Sequence, residues 1–213
     1  MHIEDMLEGG AMPAIAILRG LKPSEALAIG EALLAGGIRM LEVPLNSPEP
    51  LVSIERLAGA FGSRALIGAG TVLSAAEVGE VAAAGGRLIV SPHTDTRVIE
   101  RAVALGLDCL PGFLSTTEAF TAISAGAVHL KLFPAASLGQ GYLKALREVV
   151  PRHTRLWAVG GTGAHDVSAW LSAGAAGIGV GGSLYKAGDT PQRVLERATA
   201  LRTAWSGSVT QQA

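Results

Sequence analysis

Short apolar runs alternate along the chain with longer Ala/Leu-rich segments, and turns containing Gly or Pro separate them. The runs begin near Ala14, Met40, Ala65, Arg87, Asp108, Ala127, Arg155 and Gly177, eight in all. Their spacing leaves room for one strand and one crossover helix per unit, the connection that parallel strands require. Strands buried on both faces need not alternate in polarity. The pattern predicts an α/β fold over residues 1–205, a single compact (β/α)8 TIM barrel with brief loops, since 213 residues is short for such a barrel. A short N-terminal helix within His2 to Gly9 is expected to cap the barrel bottom, and residues 206–213 to form a flexible tail.

Helix signals agree with this register. Pro23 stands at the start of one Ala/Leu-rich segment, Ser74 precedes another with Glu77 three residues on, and Thr117 precedes a third. Gly36, Gly85, Gly106, Gly126 and Gly174 lie where helices should stop, in places that suit a residue with positive φ.

Charge and cysteine content narrow the partners. Seventeen basic against 18 acidic residues leave no broad positive field for nucleic acid. No apolar window reaches the length of a membrane span, and MHIEDMLEGG lacks the basic and long apolar parts of an export signal, so cytoplasmic residence is expected. One cysteine, Cys109, excludes an intrachain disulfide framework and reads as a packed thiol. His93, His129, His153 and His165 show no metal-ligand spacing, so no metal is assigned.

The candidate chemistry gathers at carboxyl ends of strands, the face where barrel enzymes build their sites. Lys131 interrupts the run VHLKLF, and strand parity puts it on one face with His129 and Phe133, while Val128, Leu130 and Leu132 point to the helices. Glu42 likewise opposes the face of Leu41 and Val43. A lone charge inside a barrel needs a partner or a function, so each reads as a catalytic group or as half of a buried ion pair. Arg19, Asn46 and Thr71 follow or end strands one to three, with roles in ligand binding or in salt bridges, turns and caps. The clusters VGGTG at 159–163 and GVGGSLY at 179–185 follow strands seven and eight. Their backbone N–H groups, a short helix terminus and Ser183 suit a phosphate, with ordinary tight turns as the plainer reading. Pro92 and Pro111 read as pocket walls. His129 is expected to be a satisfied core histidine, Lys144 to lie on a solvated helix face, and Lys186 to approach phosphate only if its loop folds inward.

ILRG at 17–20, LEVPLNSP at 41–48, GAGTVL at 68–73, KLFPA at 131–135 and the late VGG and GVGGS pieces together resemble the class I 2-keto-3-deoxy-6-phosphogluconate aldolase family, over almost the whole chain. PLNSP, with Asn46 where the phosphogluconate branch has arginine, and Val159 in place of threonine are similar to the phosphogalactonate branch. The resemblance implies Lys131 as the Schiff-base nucleophile and Glu42 as the acid/base group, with no cofactor beyond the covalent lysine–substrate intermediate. It further implies Arg19 and Thr71 at the pyruvate carboxylate, Asn46 and Val159 near sugar hydroxyls, and Gly161, Gly181, Gly182 and Ser183 at phosphate. Pyruvate and glyceraldehyde 3-phosphate would be the products and a homotrimer the assembly. The phosphogluconate epimer as main substrate, a phosphate-binding barrel isomerase and a non-catalytic phosphometabolite binder stay open as alternatives.

Overall fold

The structure, a computed structural model, describes residues 1–210. Its parallel strands are β1 (Ala14–Ile17), β2 (Met40–Pro44), β3 (Leu66–Gly70), β4 (Leu88–Val90), β5 (Asp108–Leu110), β6 (Gly112–Phe113), β7 (His129–Leu132), β8 (Arg155–Val159) and β9 (Gly177–Val180). They are ordered β5-β4-β3-β2-β1-β9-β8-β7-β6. The two ends of that order follow one another in the chain across Pro111, so the sheet curls round to meet itself as a near-closed barrel. The expected fifth strand is thus two pieces. Proline has no N–H to donate to a ladder, yet its carbonyl accepts from Lys131 N–H at 2.9 Å. One piece therefore pairs with β4 and the other with β7.

Helices α2 (Ala26–Ala35), α3 (Pro50–Phe61), α4 (Ala75–Ala83), α5 (Thr96–Ala104), α6 (Thr116–Ser124), α7 (Ala135–Arg147), α8 (Val167–Ser172) and α9 (Pro191–Thr210) alternate with the strands. Ser74 and Glu77 form the expected capping box of α4. For α6 the box is Ser115 with Glu118, two residues before the expected Thr117, because Glu118 can reach back to the Ser115 N–H at 2.7 Å. Gly36 has ordinary helical φ, and the positive φ after α2 falls on Gly37 at 93°. Gly85, Gly106, Gly126 and Gly174 do take positive φ. Helix α9 continues beyond Trp205 to Thr210, and residues 211–213 of the expected tail lie outside the described residues.

Two apolar layers hold the barrel. Outside the sheet, Leu41, Val43, Leu130 and Leu132 pack with helix residues such as Ile29, Leu33 and Leu57. Val128, expected there too, precedes β7 and is exposed. Inside, Ile15, Met40, Leu66, Leu88, Leu110 and Trp157 form a second cluster, and Ile3 and Met6 of α1 (Ile3–Glu8) join it. Helix α1 therefore plugs the bottom, as its sequence suggested. Its acidic face ties in as well: Glu4 accepts from Arg155 at 3.1 Å and lies 3.7 Å from His129 Nε2. Among the described residues no helix is long and apolar enough to cross a membrane.

Candidate active site

At the carboxyl ends of the strands a cavity of about 410 Å³ is lined by Arg19, Glu42, Thr71, Lys131, Val159, Gly161, Gly181, Gly182 and Ser183. Nine of the ten expected site residues thus meet in one place, although they come from β1, β2, β3, β7, β8 and β9 or the turns after them. A wider hollow of about 640 Å³ lies on the outer face between α5 and α6, where four threonines line it and Glu100 is its charged side chain. No acid, base and nucleophile converge there. The barrel-end cavity is the candidate site by chemistry, despite its smaller size.

Glu42 and Lys131 project inward because strand parity sends their neighbours into the outer layer. Both are almost fully buried. Burial raises the Glu42 carboxyl to about 7, against the smaller opposing fields of Lys131 and Arg19. Burial also pushes the Lys131 ammonium down; Glu42 pulls it back up, and Arg19 adds to the lowering. In both groups desolvation outweighs their mutual attraction. Glu42 Oε2 has no hydrogen-bond partner, which is costly for a buried carboxyl that does nothing else. The carboxyl sits where only glycine leaves room: a Cβ on Gly70 would lie 1.8 Å from Oε2. Lys131 Nζ lies 4.7 Å from the centre of the Phe133 ring, a cation–π contact that favours the ammonium.

Arg19 stands at the rim and is held on both sides. Its Nη1 donates to Asn46 Oδ1 at 2.5 Å, and Nη2 reaches Thr71 Oγ1 at 3.5 Å. Asn46, the tenth expected residue, therefore touches Arg19 and is outside the cavity lining. Thr71 has φ of 55°, a left-handed conformation that is strained for a threonine and turns its hydroxyl toward this cluster. Opposite, the turns after β8 and β9 are tied together. Thr162 Oγ1 donates to the Gly179 carbonyl at 2.7 Å, and Ser183 Oγ donates to the Thr162 carbonyl at 3.0 Å. The backbone N–H groups of Gly182 and Ser183 make no hydrogen bond within the described residues. Donors of this kind on a glycine turn suit an anion.

Phe133, Thr162 and His165 also shape the site and were not picked out for it from sequence. Phe133 was legible as a face-mate of Lys131. Thr162 and His165 gain their roles from contacts across two turns, which local pattern does not carry. Among the described residues no cluster of His, Cys, Asp and Glu is suited to hold a metal ion. Burial pushes the Cys109 thiol up to about 12, which makes it a poor nucleophile.

Residues 3–200 match the aldolase family described as KDPG and KHG aldolase. The chain belongs to that family. It is 44% identical over 198 residues to 2-dehydro-3-deoxy-6-phosphogalactonate aldolase of Escherichia coli K12, covering 93% of this chain and 97% of that one. A probable 2-dehydro-3-deoxy-6-phosphogalactonate aldolase of Rhizobium meliloti is 44% identical over 193 residues, covering 91% of each. Among solved structures, one described as native KDPGal superposes with a TM-score of 0.92 at 44% identity, covering 93% of this chain and 97% of its own. A 2-keto-3-deoxy-6-phosphogluconate aldolase from Zymomonas mobilis gives 0.84 at 26% identity, covering 94% and 96%. The family matches the resemblance carried by the sequence motifs, and the higher identities fall on the phosphogalactonate side.

Proposed function

We propose that this chain is a class I aldolase that reversibly cleaves 2-dehydro-3-deoxy-6-phospho-D-galactonate to pyruvate and D-glyceraldehyde 3-phosphate. The observation that carries the proposal is a buried lysine beside a buried carboxyl that has a free oxygen, in a cavity with a guanidinium at one side and glycine-rich donors at another. The Lys131 amine, favoured by desolvation, attacks the C2 ketone; the carbinolamine loses water to give an iminium. Glu42, directly or through a water, takes the C4 hydroxyl proton as the C3–C4 bond breaks. The electron pair of that bond passes into the iminium, leaving an enamine and free glyceraldehyde 3-phosphate. Protonation of C3 and hydrolysis then release pyruvate and restore the amine. A carboxyl that titrates near 7 can serve as base in one direction and acid in the other.

Arg19 and Thr71 hold the substrate carboxylate in this reading, and Gly161, Gly181, Gly182 and Ser183 hold the phosphate. Asn46 acts on the substrate through Arg19, whose guanidinium it fixes. Val159, buried at the cavity wall, offers a methyl surface where a hydroxyl donor would favour a differently placed sugar hydroxyl. Exposed Leu114, Phe120 and Val149 give apolar surface that a homotrimer could cover, and residence in the cytoplasm completes the proposal.

Steady-state cleavage of the two stereochemically defined C4 epimers tests the substrate assignment. Both epimers give the same products, so the comparison must be of kcat/KM. The galactonate form should be favoured by about tenfold or more. Equal efficiency, or preference for the gluconate form, contradicts the assignment and leaves the imine chemistry standing.

A further inference from the structure

We propose that His165 is a binding residue for the phosphate end of the substrate, so that this site grips the phosphate with an imidazole side chain as well as backbone donors. The inference rests on the phosphate reading of the turns after β8 and β9. Those turns, 159–165 and 179–183, contain one ionisable side chain, His165, and it lines the cavity together with Gly161, Thr162, Gly182 and Ser183. The reaction steps at Lys131 and Glu42 do not use it.

Its ring lies beside a carboxylate that is itself held in place. His165 Nε2 lies 3.5 Å from Asp166 Oδ2. Asp166 is itself held: Oδ1 accepts from the Gly163 N–H at 2.8 Å, and Oδ2 accepts from Nε1–H of buried Trp170 at 2.8 Å. The other imidazole nitrogen then faces Ser183 across Gly163. A Cβ built on Gly163 would be 3.2 Å from His165 Nδ1 and 3.0 Å from Ser183 Oγ, so the two polar atoms converge on one point kept open by the glycine. Because the Ser183 hydroxyl already donates to the Thr162 carbonyl, the donors left free for a phosphate beside His165 are the backbone N–H groups of Gly182 and Ser183. With Nε2 turned to Asp166, Nδ1–H of an imidazolium is a charge-assisted donor to a phosphate oxygen. The imidazole ring is 66% exposed, so it contributes little to the fold and is free to meet a ligand.

Inorganic phosphate, used as a competitive inhibitor of cleavage, tests this on the purified full chain. Replacing His165 with Ala should raise both the phosphate Ki and the substrate KM by about fivefold, and leave kcat within about twofold. His165→Gln, which keeps a donor without the charge, should recover part of the loss. An unchanged thermal midpoint separates this from unfolding, and His165→Leu serves as a second donor-free variant should Ala destabilise the turn. Competitive inhibition of the wild type with the same Ki in the donor-free variants overturns the role of His165 and spares the phosphate cradle. Failure of phosphate to compete with substrate in the wild type overturns both. A fall in kcat at unchanged KM and Ki would also contradict the inference, because it would place His165 in the chemistry and away from the phosphate.

Discussion

The two ends of the barrel interior are built from the same strands and treat buried polar groups in opposite ways. His129 and Lys131 are two residues apart on one face of β7. At the bottom, His129 Nδ1 accepts from Trp157 Nε1–H at 3.2 Å, its Nε2 faces Glu4, and apolar side chains from α1 close the space. Burial holds its imidazole down at about 4, so the ring is neutral and simply packed. At the top, one turn of pleat away, burial is as deep for Glu42 and Lys131, but a cavity replaces the plug and Glu42 Oε2 stays unpartnered. Desolvation alone thus does not mark a catalytic group. Desolvation beside open space, with hydrogen-bonding capacity left unused, is what supports the catalytic roles proposed for Glu42 and Lys131.

The sharpest way to break this contrast is at Glu42. Glu42→Gln keeps the shape and removes the proposed proton shuttle, so kcat should fall on the order of 10² to 10⁴-fold. Stability should move the other way. The carboxyl is raised from 4.5 to about 7, so between these values the folded chain keeps a proton that the unfolded chain has lost. Wild-type stability is therefore undiminished below the lower value, falls as pH rises to the upper one, and stays reduced above it. Denaturant unfolding should show Glu42→Gln gaining up to about 3 kcal/mol relative to wild type at about pH 8, with that advantage vanishing near pH 4.

Gly70→Ala perturbs the same carboxyl from outside. A methyl within 1.8 Å of Oε2 must displace the Glu42 side chain, so kcat should drop by about 10 to 100-fold while stability falls by about 1–3 kcal/mol. Wild-type kcat would show that the carboxyl position is not critical. At the other end of the barrel, Trp157→Phe removes the donor to His129 and leaves a buried nitrogen unmatched. Unfolding should cost about 2 kcal/mol less, with kcat within about twofold of wild type. A large loss of kcat there would erase the distinction between the two ends.

Much of this was legible because barrels are periodic. The strand starts, the α1 plug, the inward parity of Glu42 and Lys131, and the anion-suited turns all follow from local pattern and from one rule about barrel ends. What escaped depends on geometry between segments. Pro111 divides the fifth strand because its missing N–H acts on a ladder whose partners lie elsewhere in the chain. The α6 cap falls on Ser115, with Glu118 as its reciprocal partner, when Thr117 offers an equally suitable hydroxyl. The hydrogen bond from Arg19 to Asn46, between residues 27 positions apart, was not legible from local pattern. The role argued for His165 depends on Ser183 and Asp166 together, and periodicity is silent on such side-chain triads.

The central claim, that the buried pair at the top of the barrel does covalent chemistry through Lys131, is tested most directly by trapping. Purified protein is incubated with pyruvate and borohydride, and its peptides are mapped by mass spectrometry, with Lys131→Met in parallel. The account predicts a reduced pyruvate adduct on Lys131 in the wild type and none in the variant, at matched folding. A folded wild type that cleaves substrate yet yields no adduct, or one that carries it on another lysine, would contradict it.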